Sequence, residues 1–285
     1  MGAPPDTVFT KGQNWVFPPI HPEKIREQKY RYFTAYIRHH LRHAGMLRID
    51  HVMGFHRLFW IPEGLDASHG VYVRYRAEEF YAILSLESQR HRSIIVGEDL
   101  GTVPAYVRPA MSRHGLQRMY VLHYELAGDS SKRLPQPKRN IVASLNTHDM
   151  PPFAAFWQDL DIPERLKMGL LNTKSARVET HSRRAVKQVL QNYLRKNGWL
   201  DSKDSNIRAI MSACLSFMGA SPARFVLVNL EDLWLETESQ NIPSTEDRNP
   251  NWRRKTRYPL EEFYQLPEVL DTLKEIDRIR KQAEK

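Results

Sequence analysis

The chain has one cysteine, Cys214, in 285 residues, so it cannot close an internal disulfide, and the compartment it fits is the reducing cytoplasm. It also lacks any apolar run near the ~18 residues that a membrane span requires. It does not open with a basic stretch, an apolar core and a cleavage site, so no secretory signal is expected. No glycine-rich phosphate loop is present. The twelve histidines lack metal-ligand spacing: His39, His40 and His43 share part of a helix face, but no HExxH pattern or Cys/His cluster accompanies them. No metal is therefore expected. Charge of one sign is in excess, with a formal net charge of +9, which raises the question of nucleic acid. The tightest basic run, Arg253–Arg257, is short and stands without any nucleic-acid signature, so it reads as a solvated face and no nucleic-acid partner is expected.

What is present is a globular composition, 41% hydrophobic and 10% aromatic, and an alternation of helical and strand-like patterns without internal repeats or a composition break. The chain is accordingly read as one domain over 1–285. Residues 1–21, with Pro4, Pro5, Pro18 and Pro19, read as a loop that presents Phe9, Trp15 and Phe17. Apolar residues at three- and four-residue steps predict a helix from Pro22 to about Ala44, stopped by Gly45, and a strand at Met46–Ile49. A helix over 72–92 and the β-branched strand Ile94–Val96 follow. A helix over 102–114, with Pro104 near its first turn, and a strand at Met119–His123 come next. After a polar linker at Gly128–Arg139 a strand is expected at Ile141–Leu145. Helices are expected at Leu166–Leu171, Arg183–Lys196 and Ile207–Phe217, then a strand at Phe225–Leu230 and a closing helix from Leu260 to Lys285.

Three of these strands end in acids. LRID at Leu47–Asp50 places Arg48 and Asp50 two apart on one side of a strand, where a fixed cation would hold the carboxylate ionised. The pair is open to two readings, a nucleophile or a salt bridge that ties down a loop. GEDLG at Gly97–Gly101 puts Glu98 and Asp99 at a second strand end, as an active pair or as a helix cap with its neighbour. Thr147, His148 and Asp149 close a third, with a hydrogen-bonded structural histidine and an N-cap as the alternative reading.

The chain resembles the 4-α-glucanotransferases, or amylomaltases, of the α-amylase clan. The segments that carry the resemblance are GAPPD and GQNW within Gly2–Trp15, LRIDHVMGF at Leu47–Phe55, FWIP at Phe59–Pro62, GEDLG, THD, NLEDLW at Asn229–Trp234, and the residues Pro243, Thr245 and Asn251–Arg254. They occur in family order. The resemblance implies an α/β protein of the (β/α)₈ TIM-barrel type, of which this chain holds the C-terminal portion, about five strands. The nucleophile ends the family's fourth strand, so the first three strands are expected to be missing. The isolated chain is then expected to have little activity unless a partner supplies the N-terminal half of the barrel.

The same resemblance implies a retaining enzyme that transfers α-1,4-glucan segments between maltodextrins. Asp50 is matched to the nucleophile, Glu98 to the acid/base and Asp149 to the carboxylate that stabilises the transition state. Arg48 and His148 are matched to residues that hold the nucleophile and the sugar hydroxyls, and Trp15 to a sugar platform on a substrate-side loop. No cofactor is implied. Two readings share these residues: a hydrolase that uses the same acids on water, and a non-catalytic glucan-binding fragment. Val16, where a glycine commonly follows the tryptophan, and Val52–Met53, where Phe-Arg is commoner, depart from the family pattern.

Overall fold

Strand-forming apolar runs and amphipathic helices alternate along the chain, and they assemble into two compact units, Met1–Met119 and Tyr120–Lys285. The computed structural model describes residues 1–5, 11–126, 134–243, 245 and 251–283. Residues 6–10, with Phe9 of the expected loop, 127–133 at the start of the expected linker, 244, 246–250 and 284–285 lie outside the described residues.

In the first unit the expected opening loop contains two short strands, β1 (Gly2–Ala3) and β2 (Gln13–Asn14), which pair antiparallel. The helix expected from Pro22 to Ala44 is two helices, α1 (Pro22–Glu27) and α2 (Arg31–Leu41). The break falls at Lys29 and Tyr30, whose φ of 53° and 54° no helix tolerates. Strand β3 (Met46–Ile49) follows as expected. The aromatic segment after it forms an antiparallel hairpin, β4 (Arg57–Trp60) with β5 (Val71–Arg74), and β1 joins β4, giving the sheet order β2-β1-β4-β5. Residues 72–74, expected as the start of a helix, are thus strand. The alternation Val71-Tyr72-Val73-Arg74 is the period-2 pattern that the helical reading of 72–92 passed over.

Helix α3 (Ala77–His91) leads to β6 (Ile94–Gly97), which lies parallel to β3 in the register Met46 to Ile94 through Ile49 to Gly97. Helix α4 spans Val107–Arg113, later than expected: Pro104 precedes it and its carbonyl accepts the N–H of Val107. The core of this unit is made by Phe33, Ile37 and Leu41 of α2, Phe80, Tyr81 and Leu84 of α3, Val107 and Met111 of α4, and Val52 and Ile95. The three helices thus each bury one face in the core they share with the parallel pair, as helices in an α/β layer must.

Strand β7 (Arg118–Val121) crosses the boundary between the units. It is shorter than expected, because Leu122 opens the helix α5 (Leu122–Leu126), so His123 is helical. In the second unit β8 (Ile141–Ser144) is buried along its length and stands between β7 and β9 (Phe225–Val226), running parallel to β9. The helices α6 (Phe153–Trp157), α7 (Asp161–Lys167), α8 (Thr173–Lys196), α9 (Ile207–Gly219) and α10 (Leu230–Leu233) come from the second half of the chain. Helix α9 supplies Ile210, Met211, Cys214, Leu215, Phe217 and Met218 to the core. The closing helix is two pieces, α11 (Leu260–Phe263) and α12 (Pro267–Ala283), interrupted ahead of Pro267, which cannot continue a helix begun before it. Strand β9 ends four residues earlier than expected, because the segment from Leu230 turns into α10 and its acids become helical.

Candidate active site

In the first unit the register of β3 and β6 brings the two expected carboxylates to one sheet end. Ile49 faces Gly97, and the N–H of Glu98 donates to the Ile49 carbonyl at 2.8 Å, so Asp50 and Glu98 are the first residues beyond paired strands. In α/β folds this C-terminal end is where sites form. Asp50 turns outward: its side chain is 75% exposed and its Oδ1 lies 2.8 Å from Arg48 Nη2.

Glu98 has a different environment. Its carboxyl is half-buried and accepts two backbone N–H groups, His51 on Oε2 at 2.9 Å and Leu100 on Oε1 at 2.6 Å. Burial raises its pKa above the usual carboxylate value, and the nearby charge of Asp50 pushes the same way, while the two amides and Arg48 oppose. Burial is the largest of these effects. One group at this end is thus exposed beside a cation, and the other is half-buried with its proton affinity raised by that burial. Two carboxylates in such different surroundings can divide nucleophile and acid between them.

Asp99, next to Glu98, has a structural part. It is fully buried and accepts from Arg108 Nε at 3.0 Å, Arg118 Nε at 2.8 Å and the Met119 N–H at 2.9 Å, so it ties the end of β6 to the next strand. The glycines around the pair serve different needs. Gly101 has φ of 72° and turns the backbone, whereas a Cβ on Gly97 would stand 2.9 Å from Val52 Cγ2 and 2.7 Å from Met111 Cε. The site also contains His51, to which the sequence pattern assigned no role. It follows Asp50 in a left-handed conformation, φ 44° and ψ 56°, and Trp15 approaches its ring edge to face with centroids 5.0 Å apart. Burial lowers the pKa of the His51 ring, and the Asp50 charge acts against this. Trp15 is half-buried, whereas Val16 beside it is exposed at φ 64°.

In the second unit His148 and Asp149 lie beyond β8, with His148 Nε2 3.2 Å from Asp149 Oδ2. Asn241 Nδ2 donates to Asp149 Oδ1 at 2.7 Å, and the exposed Trp252 ring is 5.7 Å from that of His148. Asn241 was not legible as a partner, since nothing in the sequence links positions 92 residues apart. Beneath them Asn146 and Asp232 form a buried polar group. Asn146 Nδ2 donates to Asp232 Oδ2 at 3.0 Å, the Phe153 N–H to Asp232 Oδ1 at 2.7 Å, and Asn229 Nδ2 to Asn146 Oδ1. Burial raises the Asp232 pKa to about 6 despite these donors.

Of the expected site residues, Arg48, Asp50, Glu98 and Trp15 are gathered in the first unit, and His148 and Asp149 are neighbours in the second. Among the described residues no group of three or more His, Cys, Asp or Glu side chains could hold a metal ion. No helix among them is long and apolar enough to cross a membrane.

The family model for 4-alpha-glucanotransferase matches residues 1–261. A 4-alpha-glucanotransferase of Haemophilus influenzae is 34% identical over 91% of this chain and 38% of its own length. One from Mycobacterium tuberculosis is 38% identical over 88% of this chain and 36% of its own. The chain therefore spans little more than a third of these curated relatives. The crystal structure of amylomaltase from Corynebacterium glutamicum superposes with a TM-score of 0.86 at 26% identity, covering 96% of this chain and 42% of that one. An amylomaltase from Streptococcus agalactiae in complex with acarbose shares the fold, with a TM-score of 0.76 at 19% identity over 98% of this chain and 50% of its own. With the family model covering all but the last 24 residues, the chain belongs to the 4-alpha-glucanotransferase family.

Proposed function

We propose that this chain is the C-terminal catalytic portion of a (β/α)₈ barrel enzyme that moves α-1,4-glucan segments between maltodextrins with retention of configuration. On this reading β3, β6, β7, β8 and β9 are successive barrel strands, and the first strands belong to the part of the relatives that this chain does not span. The observation that carries the proposal is the pairing of Asp50 and Glu98 at the ends of two hydrogen-bonded parallel strands, one carboxyl exposed against Arg48 and the other inclined by burial to keep its proton.

Retaining transfer uses one ionised carboxylate and one carboxylic acid, with the two groups about 5–5.5 Å apart. Asp50 attacks the anomeric carbon while Glu98 protonates the departing glycosidic oxygen. Glu98, now a carboxylate, then takes the proton from the 4-hydroxyl of an acceptor glucan, which displaces Asp50 and restores the configuration. Asp149, held by Asn241, stabilises the positive charge that develops on the ring, and His148 holds sugar hydroxyls. Trp15 offers a ring for stacking. The chemistry needs no cofactor. The acarbose bound to the Streptococcus agalactiae relative supports an α-glucan as ligand, and the single cysteine supports a cytoplasmic setting.

The test is disproportionation of maltotriose by the full-length parent protein. Glucose and longer maltodextrins should both accumulate, and Asp50→Asn and Glu98→Gln should each abolish this while the circular dichroism spectrum is unchanged. Release of glucose without longer products would replace transfer by hydrolysis. Binding of amylose without turnover in the wild type would leave a glucan-binding role.

A further inference from the structure

We infer that His51 is a positioning residue for Glu98, and that Trp15, closed against the His51 ring, governs how firmly that residue is held. The inference rests on the reading of Glu98 as acid/base and adds a role for a residue between the two carboxylates.

The peptide plane joining Asp50 to His51 carries the Asp50 carbonyl at one end, and its N–H donates to Glu98 Oε2 at 2.9 Å. It is thus a direct covalent and hydrogen-bonded bridge between nucleophile and acid/base. That N–H points at Glu98 while His51 keeps φ 44° and ψ 56°, a conformation that a residue with a Cβ adopts at a cost. Return of His51 to negative φ would turn the peptide plane and take the N–H away from the carboxyl.

Four contacts oppose this relaxation. The Val52 N–H donates to the Glu98 carbonyl at 3.2 Å, and the Gly54 N–H donates to the His51 carbonyl at 2.8 Å. The Val52 side chain is fully buried. The fourth is Trp15, whose ring lies 5.0 Å from the His51 ring at 72°, the edge-to-face geometry that aromatic pairs favour. Three of these contacts belong to the turn and its strand, whereas Trp15 comes from the opening segment, anchored by its own N–H on the Met1 carbonyl at 2.9 Å.

The consequence concerns the proton. A backbone N–H that donates to a carboxylate favours its charged form, the form Glu98 needs as base in the second step. A loosened amide would leave burial less opposed, and Glu98 would hold its proton more tightly. Contact between Trp15 and His51 therefore links the placement of the opening segment to the balance between the acid and base forms of Glu98. If Trp15 only stacked on sugar, its removal would weaken binding and leave this balance alone.

Nuclear magnetic resonance on the ¹⁵N-labelled 285-residue chain tests this without any need for turnover. In the wild type, the amide proton shifts of His51 and Leu100 should both follow the titration of Glu98. In Trp15→Ala the exchange of the residue 51 amide should quicken by about three- to tenfold, the range expected for losing one aromatic pair. Its shift should follow Glu98 less closely, while the Leu100 amide still reports the titration. His51→Ala, which keeps the N–H and the Cβ but removes the ring, should loosen the same amide. The double variant should be no looser than His51→Ala, because the contact is already gone.

Amide exchange unchanged within twofold in both single variants, or fully additive effects in the double variant, would overturn the inference. In the full-length protein, Trp15→Ala should lower kcat and move the basic limb of the pH profile upward, with partial rescue by Trp15→Phe. A rise in KM alone would also overturn it. If the full-length protein shows no transfer, the proposed function falls, while the amide measurements still decide whether His51 and Trp15 hold Glu98.

Discussion

Ile49 and Gly97 face each other across the parallel strands β3 and β6, and Val52 lies over Gly97 so closely that a Cβ there would stand 2.9 Å from Val52 Cγ2. The turn carrying Asp50 and the strand end carrying Glu98 are packed against each other through that missing side chain. Gly97→Ala should lower the unfolding free energy by about 2 kcal/mol, as overpacking of a tight site does. In the full-length protein it should reduce transfer as well, since Val52 follows the positioning residue directly. A urea midpoint equal to that of the wild type would show that Val52 and Met111 can move aside freely.

The dipeptide Glu98-Asp99 divides its labour, and the division is testable. Asp99 is buried and meets the Arg108 and Arg118 guanidinium groups and the Met119 N–H. Removing the charge leaves Arg118, itself largely covered, facing an uncharged amide. Asp99→Asn should therefore cost about 3 kcal/mol, the low end for breaking a buried ion pair from one side. The loss should appear as a lower urea midpoint for the first unit. A change below about 0.5 kcal/mol would mean that water already compensates the two arginines.

Val16 is a β-branched residue at φ 64° and is 86% exposed, so it bears the strain of the left-handed region without packing in return. The family pattern commonly has glycine there, and the backbone geometry supplies the physical reason. Val16→Gly should relieve about 1 kcal/mol of local strain, part of it offset by the greater freedom of glycine in the unfolded chain. Slower amide exchange at Trp15 and Val73 of the surrounding sheet would be the sign. Faster exchange there would show that valine restrains the segment more than its conformation strains it.

The strands that end in acids were legible because short β-branched runs such as Ile94–Val96 and Ile141–Val142 have no competing helical period. The acids themselves were legible as punctuation after those runs. The hairpin β4–β5 was not, since Phe59, Trp60 and Tyr72 carry aromatic signals that suit loop, helix and strand alike, and its pairing with Gly2 comes from more than fifty residues away. The break between α1 and α2 was hidden because Lys29 and Tyr30 carry no glycine or proline signal, although both adopt left-handed backbone. His51 had no role assigned to it for a related reason. Its contribution is a backbone N–H, which every residue except proline possesses, so no side-chain pattern could mark it. Asp232 stands in the sequence only as part of NLEDLW, yet it is a buried acceptor, a role set by donors from Asn146 and Phe153 that are remote in sequence.

That buried position gives Asp232 a defined effect on stability against pH. Its pKa in the folded protein is about 6, raised by burial from an ordinary 3.8. The folded state therefore binds the proton more tightly than the unfolded chain, so the contribution of Asp232 is greatest below 3.8. It declines as pH rises through the window from 3.8 to about 6 and is flat above it. A gap of this size corresponds to about 3 kcal/mol between the two plateaus. Asp232→Asn removes the titration, so the difference in unfolding free energy between variant and wild type should shift by about that amount in the variant's favour from acid to neutral pH. Other carboxylates titrate in both proteins and cancel in the difference. Urea unfolding of the pair at a series of pH values measures it directly. A difference that stays constant across the window would mean that the donors from Asn146 and Phe153 hold Asp232 ionised at its ordinary pKa and that burial is fully compensated.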